Sequence, residues 1–143
     1  MINAKTTLAE LQSMNQNTLM EQLGIEYLEV KSGYVKARMP VNEKTRQPMG
    51  ILHGGSSLAL AETVGSLGSA FIVGLDQYDV RGSHMSANHV SAAKDGFVIA
   101  EAVIIHQGRN THVWNIDIRD EAGKLVSTCR LTNFVIARNT KAQ

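Results

Sequence analysis

The run from Gly50 to Ser66, Gly-Ile-Leu-His-Gly-Gly-Ser-Ser-Leu-Ala-Leu-Ala-Glu-Thr-Val-Gly-Ser, constrains the chain more than any other stretch. A turn ends in His53 and a glycine pair. A helix then starts and carries one carboxylate, Glu62, through small and apolar residues. A lone helical Glu ordinarily sits on a solvated face, because an unpaired acid is costly to bury. Its helical neighbours, three and four positions away, are Leu58, Ala59, Gly65 and Ser66, with Gly55 and Ser69 further out. None is a Lys or Arg that would make a surface ion pair. The other side carries Leu60, Val64, Leu67 and Phe71, spaced as a core-facing row. The helix therefore has one greasy face and one small-residue face with an acid in its middle. A small-residue face admits a second backbone or a ligand, and an acid so placed is a candidate site residue.

At 143 residues the chain has the length of one domain, 1–143, with a core of its own. With 43% hydrophobic and 19% charged residues and a formal net charge of +1, its composition is that of an ordinary soluble protein. No basic run or aromatic-interleaved basic patch exists, which argues against nucleic acid as a partner. Cys129 is the only cysteine, so no internal disulfide can form, and a small strand residue is the expected role. The N-terminus lacks a signal-peptide pattern, and no apolar run is expected to reach membrane-spanning length. A cytoplasmic location and no membrane partner are the resulting expectations.

Thr7-Leu8-Ala9-Glu10 and Thr18-Leu19-Met20-Glu21 are capping-box patterns that predict two short helices within 1–23. Their expected role is to cover something apolar. Strands follow: Ile25 to Lys31, a Ser32-Gly33 turn, and Tyr34 to Met39, ended by Pro40. Residues 41–52 form a polar loop to His53, and the central helix runs from Gly54 to Val73, stopped by Gly74. Four more strands are predicted at Val80–Val90, Phe97–Gln107, Thr111–Arg119 and Leu125–Ile136. The third alternates most clearly, with His112, Trp114, Ile116 and Ile118 on one face. Residues 138–143 are polar and expected to fray. One long helix against a curved antiparallel sheet of five or six strands is an α+β sandwich.

The chemistry gathers at the helix start. At His53-Gly54-Gly55, free backbone N–H groups and the positive end of the helix dipole coincide. Glycines let an oxygen atom approach closely, so the turn can act as an oxyanion site. A tight turn alone would also explain the glycine pair. Gly54 and Glu62 lie eight residues apart, about 12 Å along the axis, and differ by roughly 80° in direction at about 100° per residue. One small carbonyl cannot touch both from a single chain. If both act on it, a second subunit must supply one of them. A carboxylate facing an oxyanion site suits acyl transfer to water with an easy leaving group such as a thiolate, since thiols ionise near about 8.5. Glu62 would attack the acyl carbon or activate a water as base.

These residues resemble a hotdog-fold acyl-CoA thioesterase, most closely the branch with Glu on the central helix that includes 4-hydroxybenzoyl-CoA thioesterase and 1,4-dihydroxy-2-naphthoyl-CoA hydrolase. The resemblance runs from Leu23-Gly24-Ile25-Glu26 to Arg130-Leu131-Thr132. Its motifs are Gln47-Pro48-Met49-Gly50, Leu52-His53-Gly54-Gly55, Ala59-Leu60-Ala61-Glu62-Thr63-Val64-Gly65-Ser66 and Ala87-Asn88-His89. It implies that Glu62 is the catalytic carboxylate and that the Gly54 N–H polarises the thioester carbonyl, with Gln47 and His53 beside it, from the partner subunit. Ser66 would help place the hydrolytic water. Gly55, Asn88-His89 and Gly108-Arg109 correspond to regions that meet substrate and its coenzyme A moiety. Ser91 stands where several family members have Arg, leaving Arg109 or Lys94 as the candidate phosphate contact.

The resemblance further implies a homodimer with shared sites that pairs into a homotetramer, and no cofactor beyond coenzyme A as part of the substrate. Acyl groups on carrier proteins are a second candidate substrate. His84, His106 and His112 read as strand residues without metal-ligand spacing, so no metal is expected. A hydroxyacyl thioester dehydratase would need a His-Phe-Pro-like motif upstream of the acid, which is absent. A non-catalytic acyl-CoA-binding protein would lack the helix acid, which is present.

Overall fold

The computed structural model describes residues 1–139. Two short helices, α1 (Leu8–Ser13) and α2 (Leu19–Leu23), precede the hairpin β1 (Glu26–Lys31) and β2 (Tyr34–Pro40). The long helix α3 (Gly54–Val73) follows, and then β3 (Tyr78–His89), β4 (Phe97–Gln107), β5 (Thr111–Asp120) and β6 (Leu125–Ala137). The six strands form one antiparallel sheet in the order β1-β2-β4-β5-β6-β3. β1 and β3 are its edges.

The sheet wraps α3, which touches all six strands. Leu60, Val64, Leu67 and Phe71 are buried, as their spacing predicts, and meet a sheet face built from residues such as Val35, Ala37, Val98, Ala100, Trp114, Ile116 and Leu131. In β5, His112, Trp114, Ile116 and Ile118 are all buried, because a period of two sends alternate side chains to the helix. Close packing needs small residues on α3. A β-carbon at Gly68 would collide with the Trp114 indole, and one at Gly65 would lie 2.6 Å from a Leu131 methyl.

Two expectations are corrected. First, α3, at 20 residues and mean hydropathy 1.4, is long and apolar enough by length and composition to cross a membrane. Its greasy row is instead satisfied by the sheet that wraps it. Second, the two capping boxes differ. Thr7 and Glu10 cap α1 reciprocally, whereas the Thr18 hydroxyl donates to Asn15 O at 2.6 Å and Glu21 accepts from Asn17 N–H. Of the tail expected to fray, residues 140–143 lie outside the described residues. Arg138 is held, its N–H donating to Gln77 O at 2.9 Å and its guanidinium to Asp79 at 2.7 Å.

β3 changes parity along its length. Gly82 sits opposite the buried Asn133, but a bulge between Gly82 and His84 inserts one residue. Beyond it Met85, Ala87 and His89 sit opposite Leu131, Cys129 and Ser127. One strand thereby turns both Gly82 and His89 toward α3.

Candidate active site

The start of α3 is capped by its own histidine. His53 is the N-cap, and its Nδ1 accepts the Gly55 N–H at 2.8 Å, so the neutral ring carries its proton on Nε2. The Ser56 and Ser57 N–H groups donate to His53 O at 3.0 and 3.3 Å. Gly54 N–H donates to no group among the described residues. Capping thus narrows the oxyanion donors that the sequence offers to one, Gly54.

Gly54 lines a cleft of about 330 Å³ with Gln47, Ser57, His89, Ser91 and Ser127. Gln47 is fixed in a tight turn: its N–H donates to Ile51 O at 2.9 Å and its O accepts the Gly50 N–H at 2.9 Å. Its side-chain oxygen takes the Met49 N–H, leaving the side-chain nitrogen as a donor. The His89 imidazole contacts the buried Ser127 hydroxyl at 2.7 Å through Nδ1. Its other edge faces Gly54, where a β-carbon would lie 2.7 Å from Nε2.

Glu62 and Ser66 face a different cavity, of about 660 Å³, which Gly55 also lines. In the single chain Glu62 is exposed, so it does not bear the burial cost that its apolar neighbours suggest. Its carboxylate lies over Gly82 on β3, where a β-carbon would collide with it. A glycine inside a strand is the sequence signal for such a close approach. The other walls are mainly apolar and come largely from the N-terminal cover: Leu11, Met14, Leu19 and Met20. What these helices cover is therefore the cavity beside Glu62. The polar pair within it is internally satisfied, with Tyr27 Oη donating to Asn15 Oδ1 at 3.0 Å.

One chain therefore brings Gln47, Gly54 and His89 together, and separately Gly55, Glu62 and Ser66. Asn88 points to the sheet face opposite His89, as its partner Thr128 does. Lys94 is an exposed loop residue whose carbonyl accepts from Arg46 at 2.8 Å. Arg109 is exposed in the β4–β5 turn, beside Thr111 and its partner Phe134. Ser127 to Phe134 along β6 spans roughly 23 Å at about 3.3 Å per residue, so within one chain Arg109 is remote from the Gly54 cleft. Sequence reasoning missed Gly82, Ser127 and the cavity-lining residues of the N-terminal cover.

Cys129 is buried, and burial together with the charge of Asp117 pushes its thiol up to about 11. It is no nucleophile near neutral pH. Among the described residues, no group of three or more His, Cys, Asp or Glu could hold a metal ion.

One long helix wrapped by a curved six-stranded antiparallel sheet is the hotdog fold, and solved structures that it resembles include thioesterases. Thioesterase HI1161 of Haemophilus influenzae superposes with a TM-score of 0.90 at 41% identity, covering 99% of this chain and 100% of that one. A variant of thioesterase PA1618 of Pseudomonas aeruginosa gives 0.90 at 37% identity, covering 94% and 96%. Proofreading thioesterase EntH of Klebsiella pneumoniae is 39% identical over 130 residues, 91% of this chain and 94% of that protein. The thioesterase superfamily profile matches residues 49–127. The chain belongs to the thioesterase superfamily and is a thioester hydrolase.

Proposed function

We propose that the chain hydrolyses aryl- or acyl-CoA thioesters to free acid and thiol at a site shared between two subunits. The observation that carries this reading is the separation within one chain of the carboxylate cavity, with Glu62 and Ser66, from the donor cleft, with Gly54, Gln47 and His89. A thioester carbonyl needs both at once. The Gly54 N–H of one protomer polarises the carbonyl oxygen, while Glu62 of the other acts on the acyl carbon as nucleophile or through a water as base. The thiolate leaves without a strong general acid.

β3 supports the dimer. It is a 12-residue edge strand whose outer side pairs with nothing among the described residues, and Gly82 sets Glu62 beside it. A second β3 across a two-fold axis would satisfy that edge. Outside the sheet, Val103, Ile105, Phe134 and Ile136 are exposed, which suits pairing of dimers into a tetramer. Carrier-protein thioesters are the alternative substrate form.

The test is thiol release over benzoyl-, hydroxynaphthoyl-, phenylacetyl- and aliphatic-CoA, with the same acyl groups on a carrier protein alongside. Glu62→Gln and Glu62→Ala are expected to lose roughly 10²–10⁴-fold in kcat. Undiminished turnover by both variants rejects the role of Glu62.

A further inference from the structure

Behind the cavity that holds Glu62 lies a buried polar cluster in which Ser69 and Asn133 are 0% and His112 1% exposed. Its hydrogen-bond directions are fixed by groups that have no choice. The Trp114 indole N–H can only donate, and it reaches Ser69 Oγ at 2.8 Å. The Gly65 carbonyl can only accept, and it takes Asn133 Nδ2 at 3.2 Å, which sets the orientation of that amide. The other N–H of Asn133 Nδ2 reaches Ser69 Oγ at 3.0 Å. With both lone pairs of Ser69 engaged, its proton goes to His112 Nδ1 at 3.0 Å.

Asn133 Oδ1 is left as an acceptor only, and its contact is Ser66 Oγ at 3.4 Å. The Ser66 hydroxyl therefore donates inward, to the sheet, and its lone pairs face the cavity that Glu62 lines.

We propose that Asn133 is a positioning residue that makes Ser66 a hydrogen-bond acceptor toward the hydrolytic water. The inference rests on the shared-site thioesterase reading above. A serine that donated to the water would engage one of the oxygen's two lone pairs and draw electron density away from the nucleophile. A serine that accepts a hydrogen bond from one water O–H leaves the other O–H for Glu62, and a lone pair faces the acyl carbon. The water oxygen then bonds to that carbon and the Glu62-side proton passes to the carboxylate. The C–S bond breaks with its electron pair on sulfur, and the proton returns from Glu62 to the thiolate.

The test is a double-mutant cycle on the fastest thioester of the CoA panel, with native protein, Ser66→Ala, Asn133→Leu and the double variant. Asn133→Leu is expected to lower kcat roughly tenfold, the value of one lost hydrogen bond, with KM within about twofold. In the Ser66→Ala background the same substitution is expected to cost little more. Asn133→Ala removes the same oxygen, is expected to give the same kcat loss and the same non-additivity with Ser66→Ala, and stands in if the Leu variant does not fold. Equal losses in both backgrounds, or a loss confined to KM, would overturn the inference alone. A native protein that hydrolyses none of the thioesters would overturn the underlying reading with it.

Discussion

The His89 imidazole occupies the volume that a side chain at Gly54 would need, since a β-carbon there would lie 2.7 Å from Nε2 and 3.0 Å from Cδ2. The ring cannot retreat freely, because Ser127 holds its far nitrogen at 2.7 Å from a position with no exposure. The contact fixes the one free N–H of the α3 start relative to a neighbouring imidazole.

Gly54→Ala must move either His89 or the first turn of α3. Oxyanion donors act through geometry set before reaction, and loss of one costs roughly 10²–10³ in kcat. A fall in kcat of that order is expected, with little change in melting temperature, because the cleft is open to solvent. Steady-state thiol release paired with thermal unfolding checks it. A variant with native kcat would remove Gly54 from the oxyanion role.

Gly68→Ala sets two effects against each other. In a helix interior Ala is favoured over Gly by about 1 kcal/mol. Here the added carbon would collide with the Trp114 indole, which is 0% exposed, and overpacking costs about 1–3 kcal/mol. The collision wins, so the variant is expected to be net destabilised. Trp114 is the only tryptophan, so fluorescence in a denaturant titration reads the packed site directly. A midpoint at or above the native value would mean that the sheet yields.

Much of this fold can be read from residue patterns, and the unread remainder has identifiable causes. α3 runs from Gly54 to Val73 because the glycine turn and Gly74 punctuate a periodic apolar row. β5 is legible from its alternation. The inward side of β3 is not, because the bulge after Gly82 exchanges odd for even positions and nothing local marks the exchange. Thr7 and Thr18 head the same four-residue pattern, yet only Thr7 forms the reciprocal cap, while the Thr18 hydroxyl turns to donate to Asn15 O and Glu21 takes the Asn17 N–H. The Glu62 pocket is legible in its acid and in Gly55, Leu58, Ala59 and Ser66, but Gly65 and Ser69, read onto the same face, pack against the sheet at Leu131 and Trp114 instead. The pocket's other walls are not, because Leu11, Met14 and Met20 join it from more than 40 positions away. The separation of Gly54 from Glu62 along α3 follows from helix geometry, and the pairing of Asn133 with Ser66 follows only from the fold.

His112 makes stability depend on pH. Burial first, and then the charge of His106, hold its imidazole below the ordinary value of 6.5. It faces the Ser69 hydroxyl, which donates to Nδ1 at 3.0 Å, so protonation would set two donors against each other. A group whose folded value is depressed binds more protons unfolded than folded in the window between the two values. Stability is then full above about 6.5 and falls as pH drops below it, by at most about 1.4 kcal/mol per pH unit. The melting temperature is expected to fall between pH 7.5 and 5.5, and to fall less in His112→Gln. Parallel curves for the two proteins would assign the dependence to other groups.

The shared-site reading makes a prediction that no single-chain site can meet. Glu62→Gln and Gly54→Ala are each expected to disable every site of their own homodimers. In a heterodimer of the two, one site combines native Gly54 with native Glu62 and the other combines both defects. A heterodimer isolated through two different affinity tags is thus expected to recover about half of the native activity, as two-fold symmetry with one intact site requires. Sites built within one chain would leave the heterodimer as inactive as its parents. Because both parents retain the buried face of α3 and the whole of β3, the assembly itself is expected to be unaffected, and native mass in solution checks this before the rate is read.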